Sequence, residues 1–296
     1  AVTSDQVEEI LSAKNRMYTL IKIDAGSNLG AVRIRIRRLI AAVNERNRRK
    51  LDAVNKSAAY QRQVFTKEMK KTHTIIAPQM SPIHFRLLKE AFLNSGLNIV
   101  ILPEVDAEAV EIGLQFVNND ACYPSIIVAG QMIAALKSGN YDLDHVSLLI
   151  TQTGGGCRAT NYIGFIRRAL NDAGWSHIPV ISLSAQGLES NPGFKITPAL
   201  AHRAIMSIML GDLLMRVLYR TRPYEAVPGS ADALYEKWNS LAVKQLKSLS
   251  IAKYHKTIRG IVKDFDELPL LPVKKPRVGV VGEILVKFHP TANNDI

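Results

Sequence analysis

Cysteine is nearly absent from this chain, with 2 in 296 residues, Cys122 and Cys157. So few thiols exclude a disulfide framework and the small secreted proteins built on one, and a reducing, cytoplasmic setting is expected. No apolar run approaches the roughly 18 residues of a membrane span. The polar start, Ala1 to Gln6, does not read as a signal peptide. Aromatic residues make up 6% of the chain, and none is interleaved in its most basic stretch. That argues against a nucleic-acid module, as does the lack of a recognisable reading motif or paired zinc ligands. There is no Cys-x-x-Cys pair for a structural zinc site, no repeat of fixed period and no low-complexity tract. The chain also lacks an initiator Met and stops soon after an apolar segment, so a piece of a longer protein is expected.

What is present is a large apolar fraction, 47%, enough for one large domain or two ordinary ones. The net charge of +12 is unevenly spread. Residues 1–71 hold 16 Lys and Arg against 7 Asp and Glu, while the remainder holds 22 against 19. Much of the excess lies in Arg33, Arg35, Arg37, Arg38, Arg46, Arg48, Arg49 and Lys50. Val32, Ile36, Leu39, Ile40 and Val43 recur there at helical spacing, which predicts an amphipathic arm with an arginine-rich outer face. The arm is expected to run with interruptions from Gly30 to about Lys71 and to pack on its own domain or another subunit. Nucleic acid is not the expected partner.

Beyond the arm, short apolar runs alternate with amphipathic segments, the pattern of a parallel α/β sheet. Strands are expected at Thr74 to Ala77, Asn98 to Leu102, Val146 to Thr151 and Pro179 to Leu183. Helices are expected at Pro82 to Ser95, Ala107 to Val117, Ser125 to Lys137, Asn161 to Ala173 and Pro198 to Thr221, with one or two more from Ala231 to Phe265. The turn-rich stretch 267–276 reads as a linker, and Arg277 to Glu283 as the opening strand of a second α/β unit. The expected fold is a Rossmann-like parallel sheet flanked by helices. Its divisions are an arm over 1–71, a domain carrying both cysteines over 72–266, and the start of a second unit over 267–296.

Each cysteine lies in a loop that opens a helix, where backbone N–H groups and the positive end of the helix dipole stabilise negative charge. Each is therefore a candidate metal ligand or nucleophile, set against the simpler role of a small buried hydrophobe. In open parallel sheets, ligands bind where strand ends lead into helix N-termini, and the loop Gly154-Gly155-Gly156-Cys157 is expected at such an end. Three glycines permit close backbone approach to an anion, although the loop matches neither common nucleotide-binding pattern. Nucleophilic use of a thiol needs a neighbouring histidine, and none of the seven histidines lies in a loop expected at that sheet edge. His73 and His255 read as structural or exposed, and His289 is the remaining candidate. Two thiolates on separate edge loops suit an iron–sulfur cluster better than zinc.

Asn-Asn-Asp-Ala-Cys-Tyr-Pro (118–124), Thr-Gln-Thr-Gly-Gly-Gly-Cys-Arg-Ala-Thr-Asn-Tyr (151–162), Gly-Asp-Leu-Leu-Met-Arg (211–216) and Val-Gly-Glu-Ile-Leu-Val-Lys-Phe-His-Pro-Thr-Ala-Asn-Asn (281–294) together resemble the large fused proteins related to 2-hydroxyacyl-CoA dehydratases and their activators. Gly26-Ser27-Asn28-Leu29-Gly30-Ala31 is similar to the segment preceding this domain in that family. The resemblance covers nearly the whole chain. It implies a dehydratase-subunit-like domain of anaerobic metabolism holding a [4Fe–4S] or related cluster, with Cys122 and Cys157 as ligands. Gly154, Gly155, Gly156, Arg158 and Asn161 would contact an acyl-CoA substrate. An ATP-hydrolysing activator would supply a low-potential electron, and a homo-oligomer is expected. The family's ATPase portion lies N-terminal to this region and a further family cysteine lies beyond Ile296, so the chain alone is expected to be an inactive, incomplete fragment. The competing reading is a non-catalytic scaffold or partner-binding domain with structural cysteines.

Overall fold

A computed structural model describes residues 7, 10–11, 14, 16–19, 21, 29–49, 62–103, 107–117, 121–154, 158–184, 187, 189–290 and 293. The chain divides into two compact units, Ala1–Arg62 with Asn118–Ala121, and Gln63–Val117 with Cys122–Ile296.

The first unit contains helix α1 (Leu29–Arg49). Of its apolar stripe, Val32, Leu39 and Val43 are half-buried, whereas Ile36 and Ile40 are exposed. The helix covers the first part of the expected arm, Leu29–Arg49. Residues 50–61 lie outside the described ones, and the next helical residues are the single turn Met69–Thr72.

The second unit is an α/β domain around a four-stranded, wholly parallel sheet of order β2-β1-β3-β4. Its strands are β1 (Thr74–Ala77), β2 (Ile99–Ile101), β3 (Val146–Thr151) and β4 (Val180–Leu183). β3 reads Val-Ser-Leu-Leu-Ile-Thr with its first five residues buried, as expected for a strand covered on both faces. Helix α2 (Pro82–Leu93) links β1 to β2, α3 (Ala107–Phe116) and α4 (Tyr123–Lys137) link β2 to β3, and α5 (Tyr162–Asp172) links β3 to β4. The winding direction reverses between β1 and β3. Right-handed crossovers on either side of that point put α2 on one face and α3, α4 and α5 on the other. α4 accordingly packs against α3 and α5.

On the α2 face lies helix α6 (Pro198–Thr221), started by Thr197, whose hydroxyl accepts the Leu200 N–H. α6 runs antiparallel to α2. Leu200 shares a core with Phe92 and Leu97, Ser207 donates to the Leu87 carbonyl at 3.3 Å, and Gly211 lies against His84. Phe65, Ile75, Ala77, Ile99, Leu149 and Ile181 fill the layer beneath. Two further helices, α7 (Ser230–Gln245) and α8 (Ile251–Asp266), close a second core around Leu210, Leu214 and Leu218. His73, at the start of β1, is buried, with Nδ1 2.9 Å from the Ser147 hydroxyl and 3.2 Å from the Val146 carbonyl. Burial holds its pKa below the ordinary histidine value.

The expected strand at Arg277 to Glu283 does not form. Val278 and Val281 are 83% and 87% exposed. Among the described residues their apolar sequence has no neighbouring strand to supply a hydrogen-bond ladder, and a lone strand is not stable in water. The chain instead makes a short helix, α9 (Ile284–Phe288), whose Leu285 packs with Ala109, Ile127 and Met80. No helix among the described residues is long and apolar enough to cross a membrane.

Candidate functional site at the carboxyl edge of the sheet

The winding reverses between β1 and β3, and in open parallel sheets the carboxyl ends of the strands at such a reversal are where ligands bind. α4 and α5 both lead back towards the amino edge, so their N-termini sit at this carboxyl edge. Cys122 is the N-cap residue of α4, in extended conformation at φ −65° and ψ 141°, and half-buried. Pro124 follows in the first turn, where its missing N–H costs nothing. The Cys122 carbonyl accepts both the N–H and the hydroxyl of Ser125, at 2.9 and 2.7 Å. These bonds fix the backbone and leave the thiol free to face sideways. Its Sγ lies 2.9 Å from the hydroxyl of Tyr162, the first residue of α5.

Tyr162 closes the glycine loop, so this contact joins the Cys122 loop to the segment carrying Cys157. The base of the loop is tied down by polar contacts. Gln152 accepts from the Ser182 hydroxyl at 2.6 Å and donates to the Thr160 carbonyl at 3.0 Å, while the Thr153 and Thr160 hydroxyls meet at 2.8 Å. Gly154 has φ +72°, a left-handed conformation that a side chain would strain. Gly155, Gly156 and Cys157 lie outside the described residues. Arg158 begins the 3₁₀ turn Arg158–Asn161, and Asn161 is the half-buried N-cap of α5. Among the described residues, no three His, Cys, Asp or Glu side chains gather as a metal site.

His84 stands in the first turn of α2, on a helix and not in a loop. Ser81, the N-cap residue of α2, makes no capping bond to the helix, and its hydroxyl lies 2.8 Å from His84 Nδ1. His84 Nε2 is 3.0 Å from Asp212 Oδ1 on α6. A Cβ on Gly211 would come within 2.5 Å of the imidazole ring, so the Gly-Asp of Gly-Asp-Leu-Leu-Met-Arg both admits the ring and binds it. The Ser-Pro-Ile-His sequence signals a helix start, but only the fold brings Asp212 to it. His289 is fully buried just after α9.

Family models, curated proteins and solved structures offer no match to this chain.

Proposed function

We propose that this chain is the cluster-bearing domain of an ATP-activated, low-potential reductase or 2-hydroxyacyl-CoA dehydratase-like protein. The observation that carries the reading is the 2.9 Å contact between Cys122 Sγ and the Tyr162 hydroxyl. It joins the Cys122 loop to the start of the helix that follows the glycine loop in sequence, which supports a pairing of the two thiols. Cys122 and Cys157 would hold the cluster, and thiolate donors at helix N-termini suit iron. Two thiolates are fewer than a cluster takes, so its other positions are filled by another domain, a second subunit or an exogenous group. When bound, the cluster supplies a low-potential electron and a Lewis-acidic iron. The Tyr162 hydroxyl donates to the Cys122 thiolate and orients it. Gly154, Gly155 and Gly156 offer backbone amides, and Arg158 and Asn161 offer side chains, to an anionic or carbonyl group of an acyl-CoA. An ATP-hydrolysing activator and a second copy of the protein are its partners.

The test is anaerobic reconstitution of the full-length protein, with iron and sulfide measured after desalting. Retention of iron and sulfide in about equal amounts is expected, with most of both lost in Cys122→Ser and in Cys157→Ser. A wild-type protein that retains neither would support the scaffold reading instead.

A further inference from the structure

We propose that the opposite, amino edge of the sheet carries a separate binding site for an organic phosphate of about nucleotide size. Two adjoining clefts open there. A shallow one of about 790 Å³ is lined by Lys67, Lys70, Lys71, Leu93, Leu97 and Asn98, together with Gly96. A deeper one of about 260 Å³ shares Lys67, Lys70 and Leu97 and adds Pro192, Lys195 and Leu200. The shallow cleft alone falls in the size range of small-molecule sites. Every charged residue lining either cleft is a lysine. The nearest acid in sequence, Glu68, bonds its own backbone N–H and the Thr66 hydroxyl and also faces Lys71 and Lys67, which leaves Lys70 and Lys195 as the cations that it does not offset. Lys67 and Lys70 line both clefts, Lys71 the shallow one and Lys195 the deeper one, so each cleft offers an anion several cationic partners.

The arrangement is built into the fold. The Phe65 N–H donates to Asn191 Oδ1 at 3.2 Å, and the Gly193 N–H donates to the Phe65 carbonyl at 2.9 Å. A Cβ on Gly193 would sit 1.9 Å from the Thr66 carbonyl oxygen, so the two segments touch backbone to backbone. That contact brings the segments carrying Lys67 and Lys195 together, and both residues line the deeper cleft. Gly96, at φ +75°, has no side chain to fill the space beside the Lys70 ammonium, which lies 3.9 Å from where its Cβ would be. Leu97, Pro192 and Leu200 give the deeper cleft an apolar lining. Lysines together with an apolar lining match an anionic head on an apolar or aromatic body, and a bare polyanion would leave that lining unused.

This inference stands apart from the cluster reading, because none of its residues belongs to the carboxyl edge. Calorimetric titration of the chain with adenosine diphosphate, inorganic pyrophosphate and adenosine tests it. Adenosine diphosphate is expected to bind most tightly, pyrophosphate less so, and adenosine not detectably. Lys67→Gln/Lys70→Gln is expected to weaken adenosine diphosphate binding by at least about tenfold. Lys253→Gln/Lys256→Gln, on the exposed side of α8, is expected to leave it unchanged. Failure of adenosine diphosphate to bind, equal losses in both variants, or tighter binding of a short DNA duplex than of adenosine diphosphate would overturn the proposal.

Discussion

Gly130→Ala is expected to destabilise the α/β unit by about 2 kcal/mol or more, although alanine is the better helix former by about 1 kcal/mol. Gly130 sits in the middle of α4, a helix buried on nearly every side, from Pro124 through Ile133. A Cβ there would lie 1.8 Å from the Ala109 carbonyl oxygen and 2.7 Å from the Gly113 nitrogen, both on α3. Gly113 is in the same position, with its Cβ falling 2.2 Å from the Ile126 carbonyl oxygen. Two glycines therefore let the α3 and α4 backbones meet, and neither neighbour is a side chain that can turn aside. Relief requires moving a whole helix, and α4 carries Cys122 at its N-terminus. Gly164→Ala is the control. Gly164 is exposed on α5, with nothing within 4 Å of its Cβ, so the same change there is expected to stabilise. Thermal unfolding followed by circular dichroism reads both. A midpoint for Gly130→Ala at or above wild type would refute the close packing of α3 on α4.

Glu189→Ala is expected to cost about 3 kcal/mol, because it removes the carboxylate from a largely buried guanidinium. Arg167 on α5 meets Glu189 through two bonds, Nη1 to Oε1 at 2.7 Å and Nη2 to Oε2 at 2.6 Å, and Nη2 also donates to the Val180 carbonyl. The two side chains are 13% and 15% exposed. The pair joins α5, β4 and the segment after β4, and so braces the helix on which Tyr162 stands. Arg86 and Glu236 form a similar pair but are about half exposed, so Glu236→Ala is expected to change stability by less than about 1 kcal/mol. Replacing both buried partners by apolar residues, as Arg167→Met/Glu189→Leu, is expected to recover most of the loss. Chemical denaturation of the four proteins decides. Equal, small effects of Glu189→Ala and Glu236→Ala would show that water reaches Arg167.

Much of this architecture is legible in the sequence because local signals and tertiary burial agree. β1, β3 and α6 occupy the expected positions, Thr74 to Ala77, Val146 to Thr151 and Pro198 to Thr221. Buried strands show as unbroken apolar runs, and Gly96 and Gly174 end helical patterns with positive φ. The segment Arg277 to Glu283 shows the limit of that logic. Its valines have strand propensity, but a strand needs a partner, and propensity does not report one. The site is legible only in part. Cys122 and the glycine loop are visible as helix-opening motifs. The Tyr162 contact to Cys122 spans 40 positions, and that of His84 to Asp212 spans 128, so neither leaves a periodic trace. The lysine clefts are hidden for the same reason, since Lys67 and Lys195 become neighbours only through the Phe65 and Gly193 backbone contact.

The claim at the centre of this account is that Cys122 and Cys157 act as a pair at the carboxyl edge. A trivalent arsenical such as phenylarsine oxide measures that directly, because it is held stably only where two thiols reach one arsenic atom. Mass spectrometry of the reduced chain under native conditions should show one arsenical per molecule, with none retained by Cys122→Ser or Cys157→Ser. A wild-type chain that retains no arsenical would place the thiols apart and contradict the account.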